Sequence, residues 1–471
     1  TTLSVIVEPP LAQCSAWYEL FPRSCSAHPH THGTFKDCMA WLPRIAAMGF
    51  DIVYLPPIHP IGSSFRKGKN NRLKATRKDP GSPWAIGSNE GGHTSIHPLL
   101  GTEEEFEALV DTAKECGMQI AMDLAFQCSP DHPYIKEHPD WFSYLPDGTI
   151  KHAENPPKKY EDIVPFNFDT DHYMALWQEL LHICLYWIDK GIRCFRVDNP
   201  HTKPFAFWQW LIERVKEKYP EVIFLSEAFT RPKVMDWLAK IGFSQSYTYF
   251  TWRYTKKELI KYVSEITEKE VSEYFRPNFW PNTPDILPYD LQYYGQPAFM
   301  TRLILAATLS SNYGVYGPPF EQMVRDATGD VEEYANAEKY EIKFWDHSRP
   351  NSICDLMTKL NTIRRLHEAL QKTNNITFYE TGNSQLLYYT KSGPELLLIV
   401  VNLDPVHTQS ARIPVPYESE QSYRVHELLE DHHYIWEEKT VEVTIDPRVL
   451  PARIYKILTP LARETKFEYY M

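Results

Sequence analysis

Eight short apolar segments, each ending in a turn or a polar residue, recur along the first two thirds of the chain, and helical stretches separate most of them. Strands and helices that alternate in this way predict a parallel sheet, and eight repeats are enough to close a (β/α)₈ TIM barrel. We therefore expect an α/β fold whose barrel occupies residues 1–374. The predicted strands are residues 16–22, 51–57, 119–128, 193–198, 222–229, 246–250, 277–285 and 314–318.

Two of the intervening helices can be placed from their ends. From Thr102 to Gly117 the apolar residues follow helical spacing, Thr102 and Glu105 form a capping box, and the glycine ends the run. The stretch Phe205–Tyr219 also has apolar side chains on one helical face and stops before Pro220. Both patterns predict helices on the outside of the barrel.

Two regions do not follow the strand–helix repeat. Residues 129–169 are rich in Pro, His and Lys and lack helical periodicity, which predicts an inserted subdomain that covers one side of a cleft. Residues 375–471 change to short alternating strands, such as 396–404 and 441–446, separated by turn residues. We expect this second region to form a C-terminal all-β sandwich domain.

Charge and cysteine usage restrict the class of protein. The chain has 49 Lys and Arg against 61 Asp and Glu, a formal net charge of −12, which argues against a nucleic-acid-binding protein. Its eight cysteines include no CxxC pair and no metal-type spacing with histidine, so we expect reduced thiols, no metal site and no cofactor. The apolar run Leu3–Val7 is short and follows no basic segment, and no apolar run approaches 18 residues. These features predict a cytoplasmic chain without a membrane partner.

Acidic residues stand at or near the ends of four predicted strands: Asp123, Asp198, Glu227 and Asp285. The C-terminal ends of barrel strands surround one cavity, so we expect these carboxyl groups to meet there. Arg196 and Asp198 are two residues apart on one strand and point the same way, so the arginine favours the ionised form of Asp198. A held, ionised carboxylate is suited to covalent attack on a sugar carbon. For these two residues alone, a purely structural ion pair is the alternative.

The next two acids suggest the other roles of a retaining reaction on a sugar. Glu227 lies among apolar residues, a setting that raises the pKa of a carboxyl group and suits a general acid that later acts as a base. A retaining mechanism needs two carboxyl groups about 5–5.5 Å apart, which adjacent strands carrying Asp198 and Glu227 can provide. Asp285 would then hold ring hydroxyls and stabilise an oxocarbenium-like transition state. Alternatively, Asp285 is only a turn residue after Pro284.

The second unusual feature is basic. The segment Arg66–Lys78 carries seven Lys or Arg residues and no acid, and Lys158 and Lys159 form a second basic pair in the insertion. One interpretation is a pair of solvated surface loops. Because both loops are expected at the same barrel end as the acids, the other interpretation is a site for a phosphate dianion. The second interpretation predicts a sugar phosphate as substrate.

Longer motifs carry a resemblance to a known family. The blocks MDLAFQC, CFRVDNPH, LSEAF and NTPD occur in the order and spacing of the α-amylase superfamily, glycoside hydrolase family 13. More narrowly, PIHPIGSSFRKGKNN, ENPPKKYEDI, FRVDNPHTKP and NTPDILPYDLQYYG resemble the α-1,4-glucan:maltose-1-phosphate maltosyltransferases. The resemblance covers roughly residues 15–460 and implies the barrel, the β-rich C-terminal domain and a retaining mechanism.

The resemblance also implies roles for single residues. Asp198 is expected to be the nucleophile that forms a β-maltosyl-enzyme, Glu227 the acid/base and Asp285 the transition-state stabiliser. Ordinary amylases have Asn and His where this sequence has Gln127 and Cys128, and that Asn often binds calcium, so the resemblance argues against a structural calcium. The residues expected to bind substrate are Arg196 and, as a phosphate site, Lys67, Gln127, Lys158, Tyr160 and Asn199.

The expected reaction moves a maltosyl unit from α-maltose 1-phosphate to the non-reducing end of an α-1,4-glucan or malto-oligosaccharide. Two alternatives stay open: a phosphate-independent maltosyltransferase or α-glucan hydrolase, and an inactive glucan-binding protein. The family usually carries a β-rich region before the barrel that is linked to dimer formation, whereas this sequence begins about 15 residues before its first predicted strand. The resemblance therefore leaves the oligomeric state open.

Overall fold

The computed structural model describes residues 6–155, 158–348, 352–416 and 422–458. Within those residues the chain forms twenty β-strands, numbered here in chain order. They are β1 (Ser15–Glu19), β2 (Ile52–Leu55), β3 (Gln119–Leu124), β4 (Gln127–Cys128), β5 (Ala153–Asn155), β6 (Lys158–Tyr160), β7 (Val164–Pro165), β8 (Cys194–Asp198), β9 (Ile223–Glu227), β10 (Gln245–Ser246), β11 (Asn278–Phe279), β12 (Asn312–Tyr316), β13 (Ile376–Tyr379), β14 (Leu386–Ser392), β15 (Leu396–Asn402), β16 (Gln409–Pro414), β17 (Tyr423–Glu427), β18 (His432–Trp436), β19 (Thr440–Ile445) and β20 (Ala452–Leu458).

The same ranges contain thirteen α-helices and several short 3₁₀ helices. No helix among them combines the length and apolar character needed to cross a bilayer. The α-helices are α1 (Pro10–Gln13), α2 (Phe35–Ala47), α3 (Glu103–Glu115), α4 (Tyr134–Glu137), α5 (Tyr173–Asp189), α6 (Phe205–Lys218), α7 (Pro232–Lys240), α8 (Lys256–Thr267), α9 (Lys269–Ser272), α10 (Tyr289–Tyr294), α11 (Gln296–Leu309), α12 (Gly317–Glu321) and α13 (Ser352–Leu366).

Eight parallel strands form the barrel, in the order β10-β9-β8-β3-β2-β1-β12-β11. A parallel bridge between Ser246 and Pro277 joins the two outermost strands and closes the sheet. The predicted (β/α)₈ barrel is therefore confirmed: each of the eight predicted segments overlaps one barrel strand, and segment 119–128 also contains β4. Seven of the eight barrel strands are shorter than predicted, and β10 and β11 have only two residues each.

The sixth barrel strand, β10, ends at Ser246, although the sequence predicts a strand as far as residue 250. Thr248 instead caps a 3₁₀ helix, Tyr249–Trp252, because its side chain accepts the N–H of Phe250. The ring of Phe250 is buried against Phe279, with centroids 4.5 Å apart. A local hydroxyl cap thus competes with the sheet for these backbone groups.

Alternation along β8 decides which side chains enter the barrel. Cys194 belongs to an apolar cluster contributed by the barrel strands, whereas Phe195 and Val197 belong to the larger cluster under the helices. Successive side chains of a strand point to opposite faces. Arg196 and Asp198 therefore share the inner face with Cys194, as the sequence predicts.

The two predicted helices are present in the structure. Thr102 caps α3 through both hydrogen bonds of a capping box. The helix α6 begins at Phe205 and ends at Lys218, one residue before the predicted end, and buries one apolar face. Both helices pack against the apolar cluster outside the sheet.

Between β3 and β8 the described residues form short elements before α5. The strand β4 pairs with β7, and β5 pairs with β6 in an antiparallel hairpin. Glu161, just after β6, forms an ion pair with Lys67 in the loop that follows β2. That residues 129–169 act as a subdomain over one side of the cleft stays a prediction.

The C-terminal region is built from two antiparallel sheets, β13-β14-β15-β20-β17-β18 and β16-β19. An apolar cluster joins them, with Tyr388 and Val400 from the larger sheet and Ile413 from the smaller one. This arrangement confirms the predicted all-β sandwich. That the domain boundary lies at residues 374 and 375 stays a prediction. The larger sheet also packs on α11, where the hydroxyl groups of Thr308 and Tyr389 are 2.6 Å apart.

Candidate active site

The guanidinium group of Arg196 lies among the acids that end the barrel strands. Its Nη1 donates to Oδ2 of Asp123 at 2.9 Å and to Oδ1 of Asp198 at 2.7 Å, and its Nη2 is 3.4 Å from Oε1 of Glu227. Although burial disfavours the charge, these carboxylates raise the pKa of Arg196 well above its usual value. One permanent positive charge thus holds three carboxyl groups from β3, β8 and β9.

Asp123 is the anchor of this arginine. Its Oδ2 also accepts hydrogen bonds from the hydroxyl of Tyr54 at 2.5 Å and from Nε1 of Trp84 at 3.1 Å. Burial raises the pKa of Asp123 to about 7, against the opposing effect of Arg196. Oδ2 of Asp123 thus accepts hydrogen bonds from three donors: Tyr54, Trp84 and Arg196. Asp123 is therefore suited to positioning Arg196 rather than to reacting with a substrate.

Asp198 and Glu227 face each other across two adjacent parallel strands, where their Cα atoms are register partners. The residue after Asp198 ties the two together. The backbone N–H of Asn199 donates to Oε2 of Glu227 at 3.1 Å, and its side-chain amide lies 3.4 Å from Oδ2 of Asp198. The sequence placed both acids at strand ends, and the structure brings them to one Arg196.

The protonation of Glu227 suits an acid that later becomes a base. Burial raises the pKa of Glu227 to about 7, Arg196 lowers it, and the negative charge of Asp198 raises it again. Near neutral pH the group therefore exists in both protonation states. General acid–base catalysis is most effective when the catalytic pKa is close to the working pH.

Asp285 is more open to solvent than the other two acids, with 53% of its side chain exposed. The ammonium group of Lys339 forms an ion pair with its Oδ1 at 2.9 Å and lies 5.0 Å from the ring centre of Trp84. Burial opposes the charge of Lys339, yet Asp285 raises its pKa well above the usual value. Asp285 in turn contributes to the raised pKa of Glu227, which places it within electrostatic reach of that acid.

The basic run Arg66–Lys78 contributes one buried ammonium group. Lys67 is 2% exposed and forms an ion pair with Glu161, whereas most of the other cations of this run are exposed to solvent. The interpretation as a solvated loop therefore fits most of the run. Asp162 lies within electrostatic reach of both Lys67 and Lys339. Burial raises the pKa of Asp162, and the charges of the two lysines lower it.

Two of the other residues expected at a phosphate site, Gln127 and Tyr160, lie near Trp84 and Lys339. The amide of Gln127 donates to the backbone carbonyl of Trp84 at 3.3 Å. Tyr160, at the end of β6, is one of the groups that raise the pKa of Lys339. The backbone of Lys158 lies on β6, but its side chain lies outside the described part of the structure.

Sequence reasoning missed two ionisable groups of this site. Glu19 ends β1, is 1% exposed, and its Oε2 has no hydrogen-bond partner among the described residues. Burial raises the pKa of Glu19 well above its usual range, against the effect of Arg196. The predicted strand covers residues 16–22, so Glu19 lies in its middle and the sequence does not mark it as a strand end. Lys339 lies in an irregular loop, and no local pattern marks it.

Comparisons with known proteins identify the family. A family model described as "GLGE, C-terminal" matches residues 378–457. An α-1,4-glucan:maltose-1-phosphate maltosyltransferase of Methylacidiphilum infernorum (isolate V4) is 54% identical over 465 residues, which cover 97% of this chain and 69% of that relative. This chain belongs to that maltosyltransferase family. Relatives of the same name from Chlorobaculum tepidum and Myxococcus xanthus are 52% and 51% identical, covering 95% and 99% of this chain and 69% and 71% of their own lengths.

Solved structures that share the fold of this maltosyltransferase-family chain include α-amylases. An α-amylase from Lactobacillus plantarum has a TM-score of 0.73 at 21% identity, and the noncanonic maltogenic α-amylase AmyB from Thermotoga neapolitana has 0.75 at 18%. Each alignment covers 96% of this chain and 100% of the other. At these identities the likeness establishes the fold alone.

One group of buried side chains near the insertion has the residue types of a metal site: His93, Cys128 and His132. Its protons are already fixed, because the N–H of Tyr134 donates to Nδ1 of His132, whose Nε2 donates to Nδ1 of His93 at 3.1 Å. Nε2 of His93 donates in turn to the carbonyl of Ala125. Burial lowers the pKa of His93 to about 4 and of His132 to about 2. A metal ion on Nε2 of His132 would displace the ring proton to Nδ1, where the N–H of Tyr134 already donates. The group therefore does not fit a metal ion.

A second group with suitable side chains lies on the hairpin β17–β18 of the C-terminal domain. His426 and His433 are register partners with ring centres 4.3 Å apart, and Nε2 of His426 is 2.6 Å from Oδ1 of Asp431. None of these three residues belongs to a barrel strand. The group is therefore separate from the acids around Arg196.

Proposed function

We propose that this chain transfers a maltosyl unit from α-maltose 1-phosphate to the non-reducing end of an α-1,4-glucan, with retention of the anomeric configuration. The observation that carries the proposal is the pairing of Asp198 and Glu227 around one arginine, with the pKa of Glu227 raised to about 7. The names of the relatives supply the donor and the acceptor.

In the first step Asp198 attacks the anomeric carbon of the bound maltosyl group. Oδ1 of Asp198 is held by Arg196, so Oδ2 is the attacking oxygen. The bond from C1 to the phosphate oxygen breaks, and its electron pair leaves with the phosphate. Phosphate is a weaker base than a sugar alkoxide, so protonation by Glu227 contributes less here than it does in an amylase.

In the second step the 4-hydroxyl of the acceptor attacks C1 of the β-maltosyl-enzyme. Glu227 takes the hydroxyl proton, the bond from C1 to Oδ2 breaks, and Asp198 is restored as a carboxylate. Two inversions give net retention. When Asp198 becomes an ester it loses its charge, which removes one of the effects that raise the pKa of Glu227. The same residue can therefore act as an acid first and as a base afterwards.

The charged groups around these acids hold the rest of the donor. Asp285, fixed by Lys339, accepts hydrogen bonds from ring hydroxyls and favours the positive charge of the transition state. Lys67 binds the phosphate. An ammonium group has three N–H donors, so Lys67 can contact Glu161 and a phosphate together. Gln127, Lys158, Tyr160 and Asn199 complete the proposed phosphate site.

A direct assay separates this reaction from its alternatives. With α-maltose 1-phosphate and maltohexaose, we expect phosphate release and products that are longer by two glucose units. Products longer by two units from maltohexaose alone would identify a phosphate-independent transferase, and free maltose without longer products would identify a hydrolase. Absence of any product would favour the remaining alternative, an inactive glucan-binding protein.

We propose that this protein is located in the cytoplasm. All eight cysteines lie in the described ranges and are free thiols. Free thiols are typical of reducing compartments. Alkylation of the protein in freshly lysed cells tests this: eight labelled cysteines are expected, and disulfide-linked peptides would contradict it.

A further inference from the structure

The hairpin β17–β18 brings two histidines and an aspartate together on the C-terminal domain. His426 on β17 and His433 on β18 are register partners, so their side chains project from the same face of the sheet. Asp431 is the last residue of the turn between the two strands. One ring nitrogen of each histidine and one carboxylate oxygen of Asp431 all lie within 4.8 Å of one another. These three residues are called the hairpin group below.

The distances within the hairpin group are close to those that a tetrahedral zinc ion requires. Zinc bonds to nitrogen and oxygen of about 2.0–2.2 Å place two ligand atoms about 3.3–3.6 Å apart. Nε2 of His426 is 2.6 Å from Oδ1 of Asp431, and the rings of His426 and His433 have centres 4.3 Å apart. Because 79% of the Asp431 side chain and 25% of the His426 side chain are exposed, small rotations can bring the ligand atoms to the required separations.

The protonation of the hairpin group also suits a metal ion. A metal binds the lone pair of an unprotonated imidazole nitrogen and an ionised carboxylate. The hydrogen bond from His426 lowers the pKa of Asp431, so its carboxylate is ionised near neutral pH. Within the described ranges no hydrogen bond involves a ring nitrogen of His433, which leaves a lone pair accessible at this exposed residue. The buried group around His93 differs, because its ring protons are fixed by buried neighbours.

We infer that His426, Asp431 and His433 bind one zinc ion or a similar divalent transition-metal ion, with a water molecule as the fourth ligand. Imidazole nitrogens suit zinc, nickel and copper, whereas magnesium and calcium prefer ligand sets made of oxygen atoms. The expectation from the sequence that the chain has no metal site rested on cysteine spacing, and this group contains no cysteine. The inference is independent of the proposed maltosyl transfer.

The alternative is a hydrogen-bonded pair of His426 and Asp431 that binds no metal. Their contact of 2.6 Å already stabilises the turn and needs no third residue. That account gives His433 no part, and two histidines directly opposite each other repel when both are protonated. A metal ion instead uses a nitrogen from each ring. His433 is therefore the residue that separates the two accounts.

Nearby cations limit how tightly the hairpin group can hold a metal ion. Lys456 on β20 is the register partner of His426, and the charge of Lys359 acts on Asp431. Each of these positive charges opposes a bound dication. We therefore expect a dissociation constant for zinc on the order of 1–10 µM, weaker than that of closed sites with four protein ligands.

A metal ion at this place fastens the last strand of the larger sheet. The strand β18 stands at the edge of that sheet and pairs with β17 alone. Of its five residues, only Trp436 is buried. An edge strand with few buried side chains opens more easily than a central one. Because the three ligands come from both strands and the turn, the strands cannot separate without breaking a bond to the metal, so the site has a structural role.

Titration of the whole chain with ZnCl₂, in competition with a chromophoric zinc chelator, tests the inference. The variants are His433→Ala and Asp431→Asn. The matched control is His432→Ala, because His432 is an exposed histidine beside His433 whose side chain points to the other face of the sheet. We expect one zinc ion per chain in the wild type and the control, and affinity that falls about tenfold or more in both variants. An excess of MgCl₂ should not displace the zinc.

Amide hydrogen exchange gives a second readout that locates the metal. Zinc should slow exchange in peptides that cover β17 and β18 of the wild type and of His432→Ala, but not of His433→Ala. Without zinc, His433→Ala should exchange like the wild type, because the replaced side chain is exposed. Equal zinc affinity in His433→Ala and the wild type would overturn the inference. Protection by zinc confined to the segment around Cys128 or to the barrel strands, or a wild type that binds no zinc, would also overturn it.

Discussion

The backbone N–H of Asn199 donates a hydrogen bond of 3.1 Å to Oε2 of Glu227. Asn199 directly follows Asp198 and has left-handed backbone angles, φ 43° and ψ 55°. Such angles are uncommon outside glycine and here turn the amide at the end of β8 toward the end of β9. The position of Glu227 relative to Asp198 is thus fixed by a backbone group as well as by Arg196.

Replacing Asp198 with asparagine should lower the pKa of Glu227. The negative charge of Asp198 is one of the effects that raise that pKa to about 7, so its removal leaves the carboxyl group more acidic. An NMR titration of the Glu227 carboxyl carbon in Asp198→Asn measures the change. Asp140→Asn, at an exposed position of the insertion, is the control. An unchanged pKa in Asp198→Asn would refute the coupling.

Glu227→Gln should change how stability depends on pH. The folded-state pKa is raised from 4.5 to about 7, so between these values the folded protein holds a proton that the unfolded chain has lost. Stability therefore falls as pH rises through this window, and glutamine removes that loss. We expect the variant to gain on the order of 1–3 kcal/mol relative to wild type between the two pH values. Urea unfolding at both pH values tests this, and parallel pH profiles would count against it.

Arg196→Lys should abolish most activity although the charge is kept. A single ammonium group cannot reproduce the planar contacts to Asp123, Asp198 and Glu227. Small displacements of reacting groups are costly, so we expect turnover to fall about 10²-fold or more. Rates of phosphate release measure the effect. Arg193→Lys, just before β8, is the control and should retain activity; comparable rates for the two variants would be the contrary result.

Lys67→Ala and Lys74→Ala separate the buried lysine of the basic run from an exposed one. Loss of a charge-assisted contact to phosphate should raise the KM for α-maltose 1-phosphate about tenfold in Lys67→Ala. Lys74→Ala should leave the KM unchanged. Both values come from phosphate release at varied donor concentration. Equal KM values in the two variants would remove Lys67 from the phosphate site.

The barrel and two of its acids were accessible from the sequence because both follow from local periodicity. Arg196 and Asp198 share a face since they are two residues apart on a strand, and Glu227 ends the next barrel strand, β9. Three-dimensional neighbours far apart in sequence were not accessible. Lys339 lies 54 residues after Asp285, and no local pattern links them.

The basic run illustrates the same limit within one segment. Its cations look equivalent in sequence, but Lys67 is buried because Glu161, 94 residues away, forms an ion pair with it. The sixth barrel strand, β10, is short for a local reason that the hydrophobic pattern does not reveal. There the hydroxyl of Thr248 competes for a backbone N–H.

The most direct test concerns a covalent bond between Asp198 and the maltosyl group. In Glu227→Gln, phosphate still leaves with little protonation, but the acceptor step lacks its base. Peptide mass spectrometry after mixing this variant with α-maltose 1-phosphate should find one maltosyl unit added to the peptide that contains Asp198. The double variant with Asp198→Ala should gain none. An adduct on another residue, or elongated glucan formed by Glu227→Gln with no adduct at any time, would contradict a β-maltosyl-enzyme at Asp198.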